Sequence, residues 1–433
     1  MTPSRQARSK HEGRSVERTR PLRGNERVTV PAHPPASGLL RAILLAPDRD
    51  RIPGARPVVS VREGEAPDFL GAVQRRAREI HTLSRRGYFH GQLAELDARP
   101  PESAALEHER WRAARPIVRP GAARAIAREL DARAIGQLFT RLQRGGGLDA
   151  FVRTRAQVMA PRFRVERGPF ALFDPERDLA RVGVAVEGGP DDLWLKSARL
   201  SLSALDRSVR LRASFGREVQ DDASQDEGRH LLVAELARRV IPGARELARL
   251  RSVRAELARF VGRPVYFTQH IGYWNAPEGG ALFHHDSFEE PAEGSQRGVL
   301  FTQLVGRTVW LALSIRDLAL RVREFLGWIE EGELPWIREE LEHYPRLCRI
   351  ARDRRALRAE LARSGCGEFG PLVDRGPEFT CTLADAGHAL VLHAGDMLYL
   401  PNHGLGRTAM HSVFNASPTA SYGLSVAIRA MPR

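Results

Sequence analysis

The stretch "AGDMLYLPNHGLGRTAMHSVFN", residues 394–415, decides the fold. It reads as turn, strand, loop, strand. Gly395-Asp396 is a turn pair, 397–400 is an apolar strand, and Pro401 ends it because proline cannot donate to a ladder. A glycine-rich loop with His403 follows, and His411 opens a second strand, 411–415. Upstream lies "FHHDSFEE", residues 283–290. In a strand, residues i and i+2 share a face, so His284 and Asp286 point one way and His285 the other. The triplet alone decides nothing. Joined by an imidazole from the later strand, it becomes a two-histidine, one-carboxylate set. Such a set leaves coordination positions open and suits non-haem Fe(II).

The surroundings are strand-rich. Strands are expected at 265–270, 280–286, 298–305, 307–314, 379–383, 388–393, 397–400, 411–415 and 421–429, with Gly306 punctuating one hairpin. Many short strands with glycine turns point to a sandwich or barrel. Helical periodicity interrupts them: Leu318, Val322, Phe325, Leu326 and Ile329, then Leu347, Ile350, Leu357 and Leu361. Residues 316–364 therefore read as a helical insertion.

Further upstream, 193–203 and 208–216 alternate apolar and polar, the pattern of a hairpin with one wet face. Helices are expected at 229–241, 244–260, 121–143 and from about 66. Gly145-Gly146-Gly147 acts as a stop after the third. The first 60 residues, rich in Arg, Pro, Ser and Gly, read as a basic, loosely packed tail. The expected division is a tail over 1–60, a mainly helical region over 61–180, and a strand-rich domain over 181–433. A chain beginning at residue 61 is expected to melt cooperatively and bind metal as the full chain does. Insolubility of that truncation would contradict the reading.

The two quoted blocks resemble the JmjC-like, cupin-fold 2-oxoglutarate oxygenases. The shared order is His284-x-Asp286, then Gln303, Gly306-Arg307 and Trp310, then Gly395-Asp396, Leu398 and Pro401, and finally His411, Val413 and Asn415. The resemblance covers roughly 265–429 without the helical insertion. It implies an α+β chain: a double-stranded β-helix (the cupin/JmjC-like jelly roll), with N-terminal helices and the insertion. It also implies Fe(II) held by His284, Asp286 and His411, as the catalytic centre, with 2-oxoglutarate as co-substrate. The implied activity is a dioxygenase that hydroxylates a C–H bond of a protein side chain or small molecule.

Two positions depart from the family. Where a Lys or Arg is usual for the co-substrate's far carboxylate, this chain has Thr308. The resemblance then leaves that carboxylate to an arginine, Arg429 first, Arg407 or Arg297 otherwise, with the Thr308 hydroxyl helping. The segment from Pro401 to His411 is also long and holds His403. His411 is preferred as ligand because it begins the strand that matches the pattern.

Composition sets limits. Hydrophobic residues make up 42% of 433 and charged residues 28%, with no apolar run near the ~20 residues that span a bilayer and no secretory signal at the start. The three cysteines, Cys348, Cys366 and Cys381, lack metal-ligand spacing and fit a reducing, cytoplasmic setting. Net charge is +14, yet lysine occurs only at positions 10 and 196 among 67 basic residues. Wholesale arginine usage speaks for coding bias, so a nucleic-acid partner ranks below a protein or small-molecule substrate. No membrane partner is expected, and the helical regions offer a homodimer surface.

Blander readings apply elsewhere. His388 and His393 read as structural or exposed, and Tyr273, Trp274 and Trp310 as core. Asp221, Asp222, Asp226 and Glu227 read as an acidic helix start. The same pocket also admits two rivals: a cupin that only binds or senses, and a metal-dependent cupin oxygenase without 2-oxoglutarate.

Overall fold

The computed structural model describes residues 103–144, 147–166, 178–200, 207–216, 224–277, 279–287, 294–331, 344–375, 377–415, 417 and 419–431. The expected tail and the helix from about 66 lie outside these residues. The chain begins with α1 (Ala104–Arg112), β1 (Ile117–Arg119), α2 (Arg124–Glu129), α3 (Ala132–Leu142), α4 (Gly147–Met159), β2 (Phe163–Glu166) and β3 (Asp178–Val186). It continues through β4 (Leu193–Arg199), β5 (Val209–Phe215), α5 (Glu227–Val240), α6 (Ala244–Arg249), α7 (Arg251–Val261), β6 (Val265–Asn275) and β7 (Gly280–His284). Then come β8 (Gln296–Val305), β9 (Arg307–Ser314), α8 (Ile315–Glu330), α9 (Tyr344–Arg352), α10 (Arg354–Leu361), a 3-10 turn (Ser364–Phe369), α11 (Gly370–Arg375) and α12 (Pro377–Leu383). The last strands are β10 (Ala389–His393), β11 (Met397–Pro401), β12 (Ala409–Asn415) and β13 (Ser421–Ala430).

The result is a mixed architecture of helices and two antiparallel sheets. Among the described residues, nine strands run in the order β1-β11-β8-β13-β6-β5-β4-β3-β2, and four in the order β10-β9-β12-β7. Alternation within single strands explains the layering. On β9, Trp310 and Ala312 join Phe301, Leu398 and Leu400 in a core between the sheets. Val309, Leu311 and Leu313 of the same strand join Phe325, Ile329 and Leu357 against α8–α10. The far face of the larger sheet buries Leu300, Leu424, Val426 and Ile428 with Leu236, Leu247 and Leu257 of α5–α7. Such doubly buried strands read as near-continuous apolar runs. Among the described residues, no helix is long and apolar enough to cross a membrane.

Several expectations shift. The segment 379–383 is helical, not a strand, within α12, which opens on Pro377. Proline suits a first helical position, and Thr382 Oγ1 returns a bond to the Phe379 carbonyl at 2.7 Å. The described residues between β9 and β10 are thus in helices and helical turns, reaching 388. The helices at 121–143 and 244–260 are each two. Leu130 leaves helical backbone (ψ 128°) so that Asp131 can cap α3 through the Arg133 N–H. Leu250 likewise breaks α6 from α7. Asp226 caps α5, accepting from the Arg229 N–H at 3.0 Å, so this part of the acidic cluster is a helix start. The hairpin β4–β5 has no wet face: Lys196 and Ser197 are fully buried and Arg212 is 3% exposed.

The Gly395-Asp396 turn locks the N-terminal part onto the sheets. Gly395 takes φ 101°, open to glycine, and a Cβ there would meet the Arg124 Cα at 2.9 Å. The Asp396 carboxylate accepts from the Gly121 and His393 N–H groups, both at 2.8 Å. Arg119 on β1 pairs with Glu107 and Glu256, and Glu256 also accepts from the Tyr399 hydroxyl at 2.7 Å.

Candidate metal centre

Two neighbouring strands bring the three expected ligands together. His411 on β12 is the register partner of His284 at the end of β7, and Asp286 follows two residues later. One donor atom from each of the three lies within 4.8 Å of the others. His411 Nε2 is 3.5 Å from Asp286 Oδ2. The rings of His284 and His411 have centroids 4.2 Å apart. Donors at ~2.1 Å from a common ion stand at most ~4.2 Å apart, so a small contraction completes the geometry.

The protonation state fits metal binding. His284 Nδ1 bonds the Leu282 carbonyl at 2.7 Å. As a donor there, Nδ1 leaves the Nε2 lone pair available, which is how an outer hydrogen bond sets a ligand's tautomer. His411 is 4% exposed. Burial, then the neighbouring His284, push its pKa well below the usual histidine value, against a lesser opposing pull from the Ala409 carbonyl. It is neutral near pH 7, as a ligand must be. Two imidazoles and one carboxylate match the facial donor set of non-haem Fe(II) sites.

The two neighbouring candidates in sequence, His285 and His403, are occupied elsewhere. His285 turns its Nε2 to the Ala362 carbonyl at 2.8 Å, while its Nδ1 accepts from the Ser287 N–H at 3.1 Å. His403 directs Nε2 to the Trp111 carbonyl at 2.8 Å and lies edge-on to that indole. The position expected for the first-choice ligand, His411, is the one beside the pair.

A cavity of about 460 Å³ opens onto the triad. Phe301 and Trp310 form an apolar wall, and the Trp310 ring stacks on His411 at 5.7 Å. Tyr273, Arg210 and Arg212 form a polar wall, and Ser364-Gly365 of the helical insertion adds a third. The insertion therefore reaches the site, anchored beside it by the His285–Ala362 bond. Sequence reading missed Arg210 and Arg212. Their strand alternation was visible, but not which face would meet a cavity.

None of the four residues expected to hold a co-substrate carboxylate lines this cavity. Arg429 is 1% exposed and donates to the carbonyls of Gly294 (2.7 Å) and Ser224 (3.2 Å) and to Thr268 Oγ1 (3.2 Å). Arg407 donates to the Arg112 carbonyl at 2.6 Å. Arg297 accepts at its carbonyl from the Asn402 N–H. Thr308 donates to Gln303 Oε1 at 2.7 Å and accepts from Trp310 Nε1 at 2.8 Å. It thereby positions the indole that stacks on His411. Thr308→Val would strand the Trp310 N–H and the Gln303 carbonyl oxygen. A loss of about 1–3 kcal/mol is expected, read by denaturant titration; an unchanged midpoint would show the chain Gln303–Thr308–Trp310 to be incidental.

No family model matches the chain, and no curated protein matches it. Among solved structures it is similar to the non-haem α-ketoglutarate-dependent epimerase SnoN from nogalamycin biosynthesis, at 13% identity. That alignment covers 76% of this chain and 84% of the other, with a TM-score of 0.28, too loose a likeness to carry an argument about the reaction.

Proposed function

We propose that the chain is an Fe(II)- and 2-oxoglutarate-dependent oxygenase that hydroxylates a C–H bond of a protein side chain or small molecule. It is read as a JmjC-like double-stranded β-helix whose two halves are β11-β8-β13-β6 and β10-β9-β12-β7. The observation that carries the reading is the convergence of His284, Asp286 and His411 at one end of paired strands, beside a cavity. His284, Asp286 and His411 would hold the metal. When bound, Fe(II) with 2-oxoglutarate supplies oxidative decarboxylation by O2, giving succinate and CO2, coupled to oxidation of the C–H bond. The chain's own work is to fix the ligands, keep His411 neutral, and exclude water with Phe301 and Trp310.

Anaerobic titration of Fe(II) and then 2-oxoglutarate, followed by succinate measurement in air, tests this. Metal-loaded protein that fails to bind 2-oxoglutarate would sink it. The engaged Thr308 hydroxyl, standing where the family keeps a cation, favours a second reading: a cupin that binds or senses a ligand without turnover. Metal binding without succinate would support that one.

A further inference from the structure

Arg210 and Arg212 form one wall of the cavity that holds the triad. They stand at i and i+2 on β5, so both side chains leave the same face of the strand. Arg212 is 3% exposed and Arg210 is half-buried. The register extends this charge across the sheet. Arg181 pairs with Lys196, Lys196 with Arg212, and Arg212 with Ile271. Trp194 is shared by the three cations: Arg181 lies 4.4 Å above its ring, Lys196 5.5 Å and Arg212 5.9 Å away. Cations over an indole are attracted by its face, which holds Arg212 in place at the cavity wall. A hairpin patterned for one wet face has turned that face inward, charges included.

Tyr273 connects this wall to the metal ligands. It is the register partner of Arg210, lines the same cavity, and feels the charges of Asp286, Arg210 and Arg212 alike. Phe301 and Trp310, elsewhere in the lining, carry no charge; the Phe301 ring lies 6.5 Å from that of Tyr273. The cavity thus holds a metal-type donor set at one place, two guanidinium forks at another, and uncharged aromatic rings besides. A guanidinium presents paired N–H donors matched to a carboxylate or phosphate.

We propose that Arg210 and Arg212 bind an anionic group, carboxylate or phosphate, of a ligand whose reactive end lies at the triad. This rests on the oxygenase reading for the triad. The anion has two sources: the far carboxylate of the 2-oxo-acid co-substrate, or an acidic substrate.

Arg210→Met and Arg212→Met separate them. Inorganic phosphate is first titrated calorimetrically into chelator-treated protein; wild type is expected to bind it, and each variant to raise the Kd at least tenfold. Anaerobic Fe(II)-loaded protein is then titrated with 2-oxoglutarate and with 2-oxopentanoate, which keeps the 2-oxo-acid head but lacks the far carboxylate. Weakening of 2-oxoglutarate, at least tenfold, with 2-oxopentanoate unchanged assigns the pair to the co-substrate. Weakened phosphate with unchanged 2-oxoglutarate assigns it to an acidic substrate. Unchanged affinity for both in variants that melt like wild type overturns the proposal, as does a wild type that binds neither. Should Arg212→Met fail to fold, Arg210→Met decides. Wild type that takes up no Fe(II) defeats the oxygenase reading separately, since the phosphate arm needs no metal.

Discussion

Replacing any one of His284, Asp286 or His411 by alanine is expected to lower Fe(II) affinity at least a hundredfold, while His285→Ala and His403→Ala leave it near wild type. Each of the three supplies a bond to the ion that nothing nearby replaces, and a hundredfold is about 2.7 kcal/mol. The controls are chosen by geometry. His285 adjoins two ligands in sequence, yet its ring is spent on the Ala362 carbonyl and the Ser287 N–H. His403 is the nearest rival in sequence for the third position, yet it faces Trp111. Metal content after dialysis, with anaerobic titration, reads the result. Loss of metal in His403→Ala with retention in His411→Ala would overturn the ligand set. Melting curves guard against trivial unfolding, since His411 is packed against Trp310.

What the sequence disclosed follows from how local each signal is. The ligand pair rests on period-2 alternation and the third histidine on a strand start, and both are short-range. So is the turn at Gly395-Asp396, whose aspartate caps two N–H groups. The α12 segment was misread because Phe379 and Thr380 favour strands in isolation, while Pro377 and the packing of Phe379 against Phe325 favour helix. The cavity cations were invisible for another reason. Alternation says that Arg210 and Arg212 share a face, but only the position of β5 beside β6 says that the face is buried and meets the triad. Arg429 shows the converse. Its place on the closing strand suggested a ligand contact, and its donors instead tie β13 to the carbonyls of Ser224 and Gly294.

Acid is expected to destabilise the metal-free protein well before its carboxylates titrate, and two buried histidines, His270 and His388, are a main reason. His270 on β6 is 1% exposed, and neither ring nitrogen has a hydrogen bond among the described residues. Burial, with the nearby charge of Arg238, pushes its pKa down to about 3. His388 is pushed down to about 4, again by burial first and then by Arg321. An unfolded chain protonates both near the ordinary value of ~6.5. Between that value and the folded pKa, the unfolded state holds the extra proton. Stability is therefore full above ~6.5 and falls as pH drops, by ~1.4 kcal/mol per pH unit for each fully shifted histidine. From pH 6.5 to 5, the pair together cost on the order of 4 kcal/mol. His411 adds to the slope in the same direction, so chelator-treated protein is the sample to use. Urea titrations at pH 7.5, 6, 5.5 and 5 read the slope. His270→Leu is expected to flatten it by about one proton and to gain stability relative to wild type as pH falls. The substitution removes a charge-forming group from a site that offers it no partner, so a slope identical to wild type would mean that His270 protonates freely in the fold.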